Sequence, residues 1–368
     1  MKITVLGTRG IPDVLGGVET HCQHLYPQLV KQFGAEVCVI ARSPYVPYQR
    51  SSYEGVQTKA IWAPKKKSLE AIVHSTLAAF STLFDGSDVV HVHAIGPGLV
   101  VPLLRLLGKK VVFTHHGPDY DRQKWGGFAK KVLMLGEKFA AKWANEVIVI
   151  SEVINRILQQ KYQRFDANLI YNGVLAPVPL SADIISTTLS QYQLTPQNYM
   201  VAVGRFVEEK GFHDLIDAYR DSGLSMPLVL VGDTDHETPY SAALKEKART
   251  TPGVILTGFL KGDALKTVFS QARLFVMPSY HEGLPIALLE AMSFSLPAIV
   301  SDIPANSEVA LDANCYFPVG DVSALSHKLA ALPEETHVDY SEYLAKYDWQ
   351  KIAQQTMQVY QKVVGRTV

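Results

Sequence analysis

Two glutamates, Glu282 and Glu290, are separated by seven residues in the stretch SYHEGLPIALLEAM (279–292). Glu282 stands among loop-formers and reads as exposed; Glu290 falls inside an apolar helical run and reads as half-buried. Between them, Pro285 suits the first position of a helix continuing through Met292. The N–H groups around Gly283–Ile286 would then be free to bind an anion. A carboxylate beside an anion site is repelled unless it has hydroxyls to accept from, and sugars supply them. The pair therefore suggests a nucleotide sugar: one carboxylate for the ribose, one for the transferred sugar, and the diphosphate between them on backbone amides. An ordinary helix-surface role for Glu290 competes, but Leu288, Leu289, Ala291 and Met292 make its surroundings apolar. A glycosidase would also want two carboxylates, roughly 5–9.5 Å apart across a sugar. Eight helical positions give about 12 Å of rise, and hydrolysis would not need the phosphate apparatus.

Cations that could face the phosphates occur earlier, in AVGRFVEEKGFHDLIDAY (202–219). Arg205 and Lys210 lie in a loop between a strand and a helix. Arginine offers a planar fork and lysine a mobile point charge, which suits a diphosphate with several oxygens. Either alone would read as a solvated loop cation. Near the N-terminus, LGTRGIPDVLGGVET (6–20) follows the first strand, and Gly16 and Gly17 precede a helix starting near Val18. Backbone N–H groups and the helix dipole could meet a phosphate there. An ordinary glycine-rich turn is the competing reading, and the spacing is not the GxGxxG of a dinucleotide site.

These loops need strands and helices to hold them. Runs at 3–7, 36–41, 89–94, 110–116 and 146–151 are continuous and apolar, as buried parallel strands are, with helices expected at 18–32, 70–84 and 128–144. A polar, proline-containing passage after residue 175 ends this series. A second series has strands at 199–204, 227–232, 254–259, 273–279 and 297–302, with helices at 212–221, 242–250 and 263–270. Two successive βαβ series imply an α/β fold of two doubly wound, Rossmann-like domains, 1–178 and 179–348, facing across a cleft. A terminal helix over 349–368 is expected to pack back on the first domain.

Composition agrees with this division. The chain has 368 residues, 47% hydrophobic and 19% charged, enough apolar material for two cores. Zero formal net charge gives no global basic field for nucleic acid. Cys22, Cys38 and Cys315 are far apart and fit reduced thiols. With no apolar run of membrane-spanning length, a soluble, cytoplasmic protein is expected.

Taken together, GRFVEEKG (204–211), SYHEGLPIALLEAM and GGVET (16–20) resemble retaining GT-B glycosyltransferases of the family-four type, over nearly the whole chain and including the terminal YDWQKIA (347–353). LGTRGIP (6–12) and THHGPDYDRQKWG (114–126) further resemble a bacterial subgroup that includes rhamnosyltransferases of surface-polysaccharide assembly, lipopolysaccharide among them. The resemblance implies roles position by position. Gly16 and Gly17 would approach the donor phosphate, Arg205 and Lys210 would neutralise the diphosphate, and Gly283 and Leu284 would bind it through their amides. Glu290 would hold the ribose hydroxyls and Glu282 would contact the donor sugar. Gly258, Phe259 and Leu260 would cradle the base largely through backbone atoms. His116 matches the histidine beside the transferred sugar, with His115 its rival; on an extended strand the two point to opposite faces. No metal or other cofactor is expected, because Arg205 and Lys210 supply the charge. The co-substrates are a nucleotide-diphosphate sugar and a glycan or lipid-linked acceptor.

Other signals point elsewhere. Asp119–Asp121 and Asp233–Asp235 each spell DxD, a metal-binding pattern of another glycosyltransferase fold whose surroundings are absent here; Asp119 and Arg122 could instead help bind acceptor. His91, His93 and His116 could mimic a metal site but lack a fourth ligand. Lys65–Lys67 and the helix 130–143 could touch anionic lipid at the inner face of the membrane, or be merely a solvated face. Two other functions stay open: a non-catalytic nucleotide-sugar-binding partner protein, and a nicotinamide-dependent oxidoreductase, the latter disfavoured by the missing GxGxxG.

Overall fold

The computed structural model describes residues 1–14, 16–64, 67–118, 120, 126–234 and 237–365. The chain divides into two compact units, Met1–Gly173 with Lys346–Val368, and Val174–Ala345. In the first, β1 (Lys2–Leu6), α1 (Gly17–Phe33), β2 (Glu36–Arg42), β3 (Arg50–Tyr53), β4 (Val56–Ile61), α2 (Lys67–Ser81) and β5 (Val89–His93) are followed by α3 (Val101–Leu106), β6 (Val111–His115), α4 (Gly127–Trp143), β7 (Glu146–Val149), α5 (Glu152–Tyr162) and β8 (Asn168–Leu169). The strands form one sheet in the order β3-β4-β2-β1-β5-β6-β7-β8, parallel except for the β3–β4 pair. Ile3 is in register with Val37 on one side and Val89 on the other, all three fully or nearly fully buried. Continuous apolar runs become interior strands because both faces of the sheet are covered. β3 and β8 at the two edges, and β4 beside β3, are strands that the apolar runs do not reveal. RSSY is almost wholly exposed, VQTKAI is only partly buried, and neither forms an apolar run.

The second unit comprises α6 (Ala182–Gln191), β9 (Met200–Val203), α7 (Phe212–Ser222), β10 (Leu228–Val231), α8 (Pro239–Thr250), β11 (Val254–Gly258) and α9 (Gly262–Ser270). It continues through β12 (Leu274–Met277), α10 (Ile286–Ser293), β13 (Ala298–Ser301), α11 (Pro304–Ser307), β14 (Tyr316–Phe317), α12 (Val322–Ala330) and α13 (Ser341–Leu344). Its six strands are all parallel, in the order β11-β10-β9-β12-β13-β14. The polar passage after residue 175, which ends the first series, contains α6. Ser181 caps that helix by accepting from the Ile184 N–H, and Leu189 anchors it in the core.

The last helix, α14 (Trp349–Val364), belongs to the first unit. Asp348 caps its start, accepting from the Lys351 N–H, and Gly365 at φ 75° ends it. Trp349, Ile352, Ala353, Thr356, Met357 and Tyr360 recur at helical spacing and are buried. They join the core that α1 and the central strands build. Burying one such large apolar side chain contributes about 1.5–3 kcal/mol, so this helix is integral to its unit.

Candidate active site

Strand order in the second sheet reverses between β9 and β12, and an open parallel sheet accommodates ligands at the carboxyl side of such a reversal. The loops leaving these two strands carry Arg205, Lys210 and Glu282. After β9 the chain makes a 3-10 turn over Glu208–Lys210, ended by Gly211 at φ 66°. A Cβ at Gly211 would lie 2.2 Å from the Pro278 carbonyl oxygen, so the two loops can close together only over a glycine. The Tyr280 N–H then donates to the Glu209 carbonyl at 2.9 Å. This closure brings Lys210 Nζ to within 2.7 Å of Glu282 Oε1, which also accepts from the Ser279 hydroxyl at 2.7 Å. Oε2 of Glu282 has no hydrogen-bond partner among the described residues. Its side chain is 9% exposed against 19% for Lys210. Glu282, expected on the surface, is thus largely buried, because its loop folds back onto Ser279 and the lysine. Arg205 is half-buried in the same β9 loop.

Helix α10 starts at Ile286, so Pro285 is its cap, at φ −79° and ψ 70°, and not its first residue. Ile286 N–H is consumed by the Leu284 carbonyl at 2.9 Å. The anion-binding amides expected over Gly283–Ile286 therefore narrow to Gly283 and Leu284, whose N–H groups find no acceptor among the described residues. Glu290 lies just over a turn inside α10, half-buried beside the buried Leu288, Leu289, Ala291 and Met292. Its carboxyl makes no hydrogen bond to any described residue. Burial raises its pKa from 4.5 to about 7. At neutral pH such a group can accept from a hydroxyl or donate to one.

Gly258 ends β11, the outermost strand, and its carbonyl already accepts from the Gly232 N–H and the Thr257 hydroxyl, each at 2.9 Å. Both lone pairs of this carbonyl are thus used within the fold. Phe259, 48% exposed, and Leu260 extend beyond it.

In the first unit, the order reverses between β1 and β5. Gly16 caps α1 at φ 142°, and a Cβ there would lie 2.0 Å from Glu19 Oε2. Glu19, 5% exposed, accepts from the Arg9 N–H at 2.8 Å and the Thr8 hydroxyl at 3.3 Å. The glycine loop is folded around this carboxylate, which sequence reading missed; its signal is an acid in the first turn of α1. Gly17 is the first helical residue, exposed, with open space where a Cβ would be. The first bond of the helix runs from the Thr20 N–H to the Gly16 carbonyl. The Gly17 N–H therefore remains available at the terminus.

The two histidines part company at the end of β6. His115 is fully buried: its Nδ1 accepts from the Gly117 N–H at 3.1 Å, and its Nε2 lies 2.7 Å from Glu137 Oε1 on α4. Glu137 also accepts from Tyr120 and Tyr162. Both nitrogens of His115 are spent on structure. His116 is partly exposed, and its Nε2 lies 2.8 Å from Nδ1 of His93 on β5. Burial and the neighbouring histidines hold its pKa well below the usual imidazole range, so it is neutral. Asp119, Arg122 and Lys65 lie outside the described residues. Asp233 of the second DxD is paired with Lys245 at 2.8 Å, and Asp235 is again outside them.

Residues 15–175 match the family described as Glycosyltransferase Family 4, and residues 189–348 the family described as Glycosyl transferases group 1. Alpha-maltose-1-phosphate synthase of Mycobacterium tuberculosis (strain ATCC 25618 / H37Rv) is 27% identical over 400 aligned positions, covering 99% of this chain and 100% of that one. O-antigen chain mannosyltransferase B of Escherichia coli is 28% identical over 193 positions, half of each chain. Among solved structures, Anabaena HepE in complex with UDP and glucose superposes with a TM-score of 0.79 at 18% identity, covering 98% of this chain and 100% of that one. Two parallel-sheet units, each with glycine loops at the carboxyl ends of its strands, and family matches that together span both units lead to one conclusion: the chain belongs to the GT-B glycosyltransferases of the family-four type.

Proposed function

We propose that the protein moves a sugar, with retention of configuration and without a metal, from a nucleotide-diphosphate sugar to a glycan or lipid-linked acceptor in surface-polysaccharide biosynthesis. The observation that carries this is the Lys210–Glu282–Ser279 cluster beside the unpartnered amides of Gly283 and Leu284. Arg205, Lys210 and these amides face the diphosphate; Oε2 of Glu282 accepts from the donor sugar; Glu290 takes the ribose hydroxyls; neutral His116 touches the transferred sugar. Preorganised charges stabilise the departing nucleoside diphosphate without the reorganisation that water would require. The bond from the anomeric carbon to the phosphate oxygen breaks while the acceptor oxygen bonds the same face. The acceptor proton passes to the leaving phosphate, so positioning counts for more than a protein base.

HepE, in complex with UDP and glucose, supports the donor class, and the O-antigen mannosyltransferase supports the acceptor class. No helix among the described residues is long and apolar enough to cross a membrane. On α4, Phe128, Met134, Leu135 and Trp143 are exposed alongside Lys131, Lys138 and Lys142. That mixture suits contact with anionic lipid at the inner face of the membrane. The test is transfer from a panel of UDP-, GDP-, ADP- and dTDP-sugars in the presence of EDTA, with the product's anomeric configuration read by NMR. Product of inverted configuration, or transfer abolished by EDTA, contradicts the mechanism.

A further inference from the structure

His21 on α1, His93 at the end of β5 and His116 just after β6 each offer one ring nitrogen, and these nitrogens lie within 4.8 Å of one another. Hydrogen bonds identify which nitrogens they are. His21 Nδ1 is 2.6 Å from Oδ1 of Asn172, which can only accept, so Nδ1 carries the proton and Nε2 keeps its lone pair. That Nε2 is buried and has no hydrogen-bond partner among the described residues, an unusual state for a polar atom in a protein interior. His93 Nε2 is bound to the Tyr26 hydroxyl at 2.5 Å, leaving Nδ1 to face Nε2 of His116. Two of the three imidazoles thus have an outer partner fixing ring and tautomer, as metal-binding histidines almost always do.

We infer that His21, His93 and His116 bind a single borderline-soft transition-metal ion, Zn²⁺ by preference, and that its binding silences transfer. The second half rests on the reading of His116 as the residue touching the donor sugar. Zinc at about 2.0–2.1 Å from each nitrogen places tetrahedral ligands about 3.3–3.4 Å apart, so the His93–His116 pair, now at 2.8 Å, opens by about 0.5 Å while any separation near the 4.8 Å limit closes by about 1.4 Å. The ion replaces the proton shared by His93 and His116 and satisfies the orphan Nε2 of His21. His116 is the partly exposed member, so the fourth position opens toward solvent and takes water. An all-imidazole set favours zinc, copper or nickel over magnesium, calcium or manganese, which prefer oxygen. The site is inhibitory, not catalytic, since the metal engages the Nε2 of the histidine the reaction uses.

The test uses the full-length protein, stripped with EDTA and titrated with ZnCl₂ against a chromophoric chelator, then assayed for transfer. His21→Asn is the informative variant, because asparagine mimics the Nδ1 half of histidine and deletes only the Nε2 ligand. The parent is expected to bind one equivalent and lose at least about tenfold of its transfer rate, recovered on adding EDTA. His21→Asn is expected to melt as the parent does, transfer at the parent rate and ignore zinc. Asn172→Ala is expected to weaken zinc binding by roughly 10–100-fold. Co²⁺ should give the intense visible bands of a four-coordinate ion in the parent and lose them in His21→Asn. Zinc binding undiminished in His21→Asn, or absent from the parent, overturns the site. A His21-dependent ion that leaves transfer untouched keeps the site but overturns the silencing, and with it the place of His116 at the donor sugar.

Discussion

Replacing Glu290 with glutamine should stabilise the free protein and weaken its hold on nucleotide. Burial raises the carboxyl from 4.5 to about 7. The folded state therefore prefers the protonated form, and ionisation opposes folding. Below pH 4.5 both states are protonated and there is no penalty; it grows between pH 4.5 and 7 and is complete above. That rise in pKa corresponds to about 3 kcal/mol. Glu290→Gln removes that penalty while keeping the shape. Urea unfolding of the second unit's transition should show parent and variant equal near pH 4.5, with the variant up to about 3 kcal/mol more stable at pH 8. The same change removes an acceptor of charge-assisted hydrogen bonds, each about 1.5–3 kcal/mol, so nucleoside diphosphate affinity at pH 8 should fall roughly 10–100-fold. A stability difference that does not vary with pH would show that Glu290 does not titrate near neutrality. Unchanged nucleotide affinity would remove it from the ribose.

Lys210→Ala should weaken free nucleoside diphosphate and intact donor alike, whereas Glu282→Ala should mainly reduce turnover. Titration calorimetry and initial rates separate the two, and a double-mutant cycle should give a coupling of about 0.5–3 kcal/mol because the side chains touch. His115→Ala should lower the melting temperature by leaving Glu137 buried and short of a partner, a loss of about 3–5 kcal/mol. His116→Ala should leave melting nearly unchanged and cost activity; the reverse pattern refutes the assignment. Gly211→Ala, which pushes a Cβ against the Pro278 carbonyl in a left-handed turn, should destabilise the second unit by about 1–3 kcal/mol from backbone strain alone. An unshifted melt would show that the two loops are not locked as described.

The interior strands were legible because a buried parallel strand must be apolar on both faces, and PLVLVG and EVIVIS say so outright. β3, β4 and α6 were not, because strands at or next to a sheet edge and an outer helix can be half-polar and still pair or cap locally. At the site, Arg205, Lys210, Glu282 and Glu290 were readable from residue type and spacing around strand ends. The burial of Glu282 was not, since it depends on Gly211 allowing two loops from different strands to close. Ser279 stood in the quoted motif, but its bond to Glu282 is set by that loop's path. The His21–Asn172 bond joins residues 151 positions apart, and nothing local to either predicts it. Glu19 lay in GGVET, yet only the folded loop turns a first-turn acid into the buried carboxylate that shapes it.

The central claim is that this protein's own cations and amides recognise a donor diphosphate without a metal. Calorimetric titration of UDP, GDP, ADP and dTDP into the protein with excess EDTA tests it most directly, repeated with Arg205→Ala and Lys210→Ala. The account predicts one-to-one binding of at least one of the four, weakened by each substitution. Binding that requires added magnesium, or that both substitutions leave untouched, would contradict it.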